Sequence, residues 1–174
     1  MVAKTSLAAM SASQANSNPL ILGEATRTID ARFRLSLPPE LAAMLATGGS
    51  ECVLAKERPG CLSLWNATTW QTRLDEGVGL VVSKILARRL DTRLDEVQRL
   101  GRLLSTRHRP VQLAGRGRLV VPEGFREFLA VEPNGPVMIL GAAVCVELWH
   151  PERFQQNVAR EMPDFRGLLE RLVG

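Results

Sequence analysis

The chain is poor in the residues that most often carry out chemistry. Two histidines, His108 and His150, and three cysteines are spread over 174 residues. His108 lies among arginines in a predicted linker and His150 directly precedes Pro151. Neither has a partner at metal-ligand spacing. An odd number of cysteines with no C-x-x-C argues against a disulfide scaffold. Cys61 and Cys145 each sit beside Leu or Val in an alternating stretch, where a small buried hydrophobe is expected. There is no G-x-S-x-G and no phosphate loop, and no pair of acids falls in a predicted pocket. The Gly-x-Gly of "AGRGRL" lacks the third glycine of a dinucleotide fingerprint. The chain is therefore not expected to be an enzyme, to hold a metal or cofactor, or to bind a small-molecule substrate. No apolar run approaches the roughly 18 residues of a membrane span, so no membrane partner is expected. The segment "MVAKTSLAAMSASQANSNP" carries one charge and no apolar stretch of a signal peptide. Its Ser, Ala and Asn content predicts a disordered extension over residues 1–18, and a cytoplasmic protein is expected from these features together.

What is present is enough for a core: 45% of the residues are hydrophobic. The net charge of +4 is localised, because residues 71–112 alone carry an excess of +4 and the other segments nearly cancel. Positive charge favours nucleic acid or acidic surfaces.

The chain also repeats itself. "IDARFRLSLP" at 29–38 is echoed by "LAGRGRLVVP" at 113–122, each with R-x-R-L and a proline three residues later. A single ungapped offset of 84 pairs Arg32 with Arg116, Arg34 with Arg118, Leu35 with Leu119 and Pro38 with Pro122. It goes on to pair Val53 with Val137, Cys61 with Cys145, Trp65 with Trp149 and Trp70 with Phe154. One offset held over this length indicates an internal duplication, and two related halves packed together.

Each half reads as strand, strand, short helix, strand, strand. Leu35 and Leu37 share one parity and Arg32, Arg34 and Ser36 the other, which predicts a strand with one wet face. "PPELAAML" and "PEGFREFLAV" place proline at a first helical turn. "CVLAKERPGCLSLW" predicts two strands around Pro59-Gly60, and "VMILGAAVCVELW" two more around Gly141. Between the halves, Val78, Val81, Val82, Ile85, Leu90, Leu94, Val97, Leu100 and Leu104 form an apolar stripe on one or two amphipathic helices. Arg88, Arg89, Arg93, Arg99 and Arg102 lie off that stripe. They read as a solvated face with pairs such as Asp95–Arg99 rather than as a phosphate patch. "PDFRGLLERLVG" predicts a last short helix. The expected organisation is an extension over 1–18, units over 19–70 and 111–155, a helical connector over 71–110 and a helical tail over 156–174.

Arginine presents a planar fork that matches phosphate oxygens and the guanine O6/N7 edge. Two arginines two apart on a strand would point the same way, and two copies would form a basic comb for DNA.

The phrase D-x-x-x-R-L-x-x-P, present as Asp30, Arg34, Leu35 and Pro38, resembles the repeated signature of the MraZ family of bacterial transcriptional regulators. "CLSLWNATTW" and "CVELWHPERF" resemble the family's closing strands, and the helical middle and twofold repeat are in place. The resemblance spans about residues 19–155. It implies an α+β fold of two tandem AbrB-like swapped-hairpin units forming a pseudo-dimeric β-barrel, with connecting amphipathic helices. It further implies a homo-oligomeric ring, larger than a dimer, on double-stranded DNA. That ring would bind short tandem repeats upstream of the division and cell-wall gene cluster, as a nucleoid-associated repressor. The resemblance makes D-x-x-x-R a bend between strands, with the aspartate tying down backbone N–H groups. Arg32 and Arg34 become the expected DNA contacts and Asp30 an orienting residue. Arg116 and Arg118 are matching but weaker candidates, because Ala114 replaces the aspartate. The expected glycine before the arginine is kept as Gly117 but replaced by Phe33. A bulky residue at positive φ is unfavourable, so that bend must differ or be strained, or Phe33 must fill a core pocket. The rival reading is a self-assembling protein-interaction module of the same fold that has lost DNA binding. A nonspecific RNA binder ranks below it.

Overall fold

The computed structural model describes residues 20–174. The extension expected over 1–18 lies outside the described residues. The chain runs β1 (Glu24–Thr28), β2 (Arg34–Ser36), α1 (Pro39–Leu45), β3 (Glu51–Arg58) and β4 (Cys61–Asn66). α2 (Ala67–Leu86) and α3 (Leu94–Arg107) follow, then β5 (His108–Gln112), β6 (Arg118–Val120), α4 (Arg126–Leu129), β7 (Pro136–Gly141) and β8 (Val146–Trp149). α5 (Pro151–Glu161) and α6 (Phe165–Val173) close it.

The fold is α+β. Six strands form one antiparallel sheet in the order β1-β7-β8-β4-β3-β5, and β2 pairs only with β6. The expected closed barrel is absent. β1 and β5 end the sheet at opposite edges, and no ladder joins them. The reason lies in β2 and β6. After Ile29 and Leu113 the chain leaves the sheet, and the three-residue strands that follow spend their hydrogen bonds on each other. They cover one face of the sheet instead of closing its edge.

The halves interleave. β1, from the first repeat, pairs with β7 of the second, and β5, from the second, pairs with β3 of the first. A local twofold relates them. Leu35 faces Leu119 and Ser63 faces Glu147, each residue opposite its own counterpart 84 positions away. The echo slips once. Val111 faces Cys52 while its counterpart Arg27 faces Val137, so Cys52, not Val53, is the structural equivalent of Val137. A bulge between Lys56 and Arg58 restores the offset before β4.

The main core lies between the sheet and the ribbon. Ile29, Leu54, Leu62, Leu64, Val121, Val137, Ile139, Val146 and Leu148 are fully buried there. Leu41 and Leu45, one turn apart on α1, seal one end, and Phe125 and Leu129 around α4 seal the other. Full burial of one such side chain contributes about 1.5–3 kcal/mol. Val53, Ala55, Trp65, Trp70 and Cys145 form a second cluster. β3 and β4 are thus buried on both faces over much of their length. All three cysteines are buried and free.

The connector is two helices broken between Ala87 and Arg93, not one. Leu74, Val78 and Val81 of α2 face Leu100 and Leu104 of α3 across a groove of about 360 Å³. Other apolar residues stay exposed: Leu80 and Leu86 on α2, Leu94 and Leu103 on α3, and Phe165, Leu168, Leu169 and Leu172 on α6. The arginines of the connector pair locally, but as Arg88–Asp91 (3.2 Å) and Arg93–Glu96 (2.6 Å); the Asp95–Arg99 pair expected from spacing is not among the ion pairs of the described residues. No helix among the described residues is long and apolar enough to cross a membrane.

Candidate nucleic-acid interface

The two echoed phrases fold into two tight bends on either side of the twofold. In the first, Asp30 donates its N–H to the Arg34 carbonyl (2.9 Å) and accepts from the Phe33 N–H (3.0 Å). Three residues make the connection, and the third, Phe33, is left-handed with φ 58°. This is the three-residue hairpin geometry in which glycine usually holds that place. The second bend has the same length but a different turn: Ala114 and Arg118 exchange backbone hydrogen bonds (2.9 and 3.3 Å), and both Arg116 (φ 65°) and Gly117 (φ 68°) are left-handed.

Asp30 braces the first bend twice over. Its Oδ1 accepts from the backbone N–H of Arg32 (2.8 Å) and of Arg34 (2.9 Å). Its Oδ2 accepts from Arg34 Nε at 2.8 Å. The backbone N–H of Arg34 is the largest of the forces that hold the Asp30 carboxyl below the usual carboxylate range. The guanidinium of Arg34 is thereby fixed through one nitrogen, with 55% of its side chain exposed. Arg118 has no such brace, since Ala114 offers no carboxylate. Its Nε reaches only the Gly115 carbonyl, at 3.3 Å.

Each strand carries only one arginine of its pair. Arg32 lies in the first bend and Arg116 in the second, at φ 65°, while Arg34 and Arg118 open β2 and β6. The expected comb of two arginines along one strand is therefore replaced by an arginine at the bend tip and one at the strand foot. All four are exposed.

Arg34 and Arg118 look into a shared groove of about 840 Å³ that straddles Leu35 and Leu119. Thr28, Gln112 and Arg27 also line it. Arg27 was missed in the sequence because the echo sets it against Val111, which hid any repeated basic signal. Its position on β1, three residues before Asp30, brings it to the groove.

His108 corrects a further expectation. It opens β5 and packs 5.2 Å from the ring centre of Trp70 instead of lying in a linker. Among the described residues no three His, Cys, Asp or Glu side chains come together in a way that could hold a metal ion.

The family described as "MraZ protein, putative antitoxin-like" matches residues 107–173. The transcriptional regulator MraZ of Heliobacterium modesticaldum is 28% identical over 154 residues, covering 88% of this chain and 97% of that one. The protein of the same name from Methylobacillus flagellatus is 30% identical over 141 residues, covering 80% of this chain and 87% of its own length. This chain belongs to the MraZ family. These relatives are named as transcriptional regulators, not as enzymes. The MraZ match with Treponema denticola, 27% identical over 152 residues, likewise spans both repeats.

Proposed function

We propose that this MraZ family member is a sequence-specific DNA-binding transcriptional regulator. On this reading it represses the division and cell-wall gene cluster by binding short tandem repeats upstream of it. The observation that carries the proposal is Arg34, an exposed guanidinium held at one nitrogen by a braced carboxylate, at the rim of a groove on the twofold. A fixed arginine fork reads a guanine edge with little loss of side-chain freedom. Arg32 and Arg34 contact DNA, Asp30 orients Arg34, and Arg116 and Arg118 contribute less. The exchange of β1 and β5 between the halves supports an AbrB-like swapped-hairpin arrangement of units 19–70 and 111–155, joined by the connector 71–110 and followed by the tail 156–174.

One chain offers few phosphate contacts, and such binding is weak and salt-sensitive. A homo-oligomeric ring would multiply the contacts through effective concentration. The exposed apolar residues of α2, α3 and α6 supply surface for it. The working place of such a ring is the cytoplasm, on the nucleoid.

Titration of Arg34→Ala and Arg118→Ala against one repeat-bearing duplex at fixed salt tests the reading. Arg34→Ala should lose about 1–3 kcal/mol of discrimination, with oligomer and melting temperature near wild type, and Arg118→Ala should lose less. Equal effects within about 0.5 kcal/mol, the range of ordinary exposed substitutions, would leave the protein-interaction module as the better account.

A further inference from the structure

Beside the first bend lies a cluster that has no equivalent beside the second bend. Lys56 Nζ sits 4.9 Å from the ring centre of Phe125 and 5.9 Å from that of Phe128. The guanidinium of Arg109 sits 5.7 Å from the same Phe125 ring. Arg126, the next residue along, places its guanidinium 4.4 Å from the ring centre of Phe33. None of these three cations takes part in the six ion pairs of the described residues.

The twofold supplies an internal control. Allowing for the one-residue slip in β3, the counterparts of Lys56, Arg109 and Arg126 are Gly141, Ala25 and Ala42, all uncharged. The counterparts of Phe33 and Phe125 are Gly117 and Leu41. Three cations and the rings that hold them have thus appeared together on one flank only. The buried Phe125 ring limits the motion of Lys56 and Arg109, while Arg126 is held by the half-buried Phe33 ring and by its Nε, which donates to the Val121 carbonyl at 2.8 Å. Three like charges on one flank, none of them in an ion pair, repel one another, and an anionic partner would relieve that repulsion.

We infer that Lys56, Arg109 and Arg126 form a phosphate-binding flank that grips the DNA backbone next to the first hairpin. The inference rests on the DNA-binding reading given above. The patch lies off the groove of the twofold and adjoins Arg32 and Phe33, so it reaches backbone and not base edges. Phosphate contacts set register and orientation without carrying sequence. A one-sided grip therefore gives each chain a direction on the duplex.

The test is the double variant Lys56→Gln/Arg109→Gln in the full-length protein. It is titrated over a salt series against a repeat-bearing duplex and a scrambled duplex. Both affinities should fall by the same factor, and the slope of log K against log[salt] should become shallower by about 1.8 for two lost contacts. Lys56→Arg should keep the wild-type slope. Loss on the repeat-bearing duplex alone, or an unchanged slope, would overturn the inference. An unchanged slope with a lowered melting temperature would assign the cluster to packing only. A wild-type protein that binds neither duplex would overturn the DNA-binding reading itself, and this one with it.

Discussion

Arg126 and Phe33 stand 4.4 Å apart where the twofold puts Ala42 against Gly117. On the small side a Cβ added to Gly117 would come within 2.9 Å of the Ala42 Cβ. On the large side an aromatic ring fills the corresponding space and a guanidinium covers it. The ring also packs against the main core. Bulky residues avoid positive φ, yet Phe33 holds φ 58° because tertiary packing outweighs a left-handed cost of about 1–2 kcal/mol.

The two pairs should therefore behave as coupled units. Phe33→Ala and Arg126→Ala, separately and together, should give a coupling of about 0.5–1 kcal/mol in urea unfolding. Gly117→Ala should cost about 1–2 kcal/mol from its left-handed backbone alone, and Ala42→Gly in the same chain should return only the part due to crowding. Strict additivity of Phe33→Ala and Arg126→Ala would remove the coupling.

The brace at Asp30 should show itself in acid. A carboxyl whose folded pKa is lowered contributes stability above its unfolded pKa of about 3.9, and that contribution is lost as the pH falls through the lower folded value. Wild type should thus lose more stability below about pH 4 than Asp30→Asn does. The reverse substitution is equally informative. Ala114→Asp should give the second bend the same carboxylate and bring Arg118 up to the DNA contribution of Arg34. Unchanged DNA affinity in Ala114→Asp would mean that orientation by the carboxylate is not what separates the hairpins.

The thiols give a prediction at the other end of the scale. Burial pushes Cys52 up to about 11 and Cys145 up to about 12, and drives Cys61 up as well. Their raised folded values favour the folded state fully below the unfolded thiol pKa of about 8.5 and ever less as the pH climbs through and beyond it. The melting temperature should therefore decline above about pH 8.5, and Cys52→Ala should flatten that decline. In native protein at neutral pH all three should resist alkylation and react after denaturation. Fast native labelling would contradict their burial.

Much of this was legible in the sequence because it is local or repeated. The echo at an offset of 84 located the twofold, and proline at the start of α1 together with the Pro59-Gly60 turn located elements correctly. Sheet closure was not legible. It depends on whether β1 and β5 find each other, and no pattern within either strand records that. The slip at Val53 was hidden because Val137 has a valine to match and the compensating bulge is silent in sequence. Arg27 and Lys56 escaped notice for a related reason. Their meaning comes from contacts across strands, to the groove and to Phe125, that are far apart in the chain. Phe33 was legible as an anomaly, and the structure shows which of its alternatives holds: both strain and core packing.

The exchange of strands between the halves also governs when this protein can fold. β1 is made early, but its ladder partner β7 begins only at Pro136. At roughly 5–20 residues per second on the ribosome, β1 waits on the order of ten seconds with an unpaired edge. The first repeat therefore emerges as an unfinished sheet, and its completion depends on the arrival of the second.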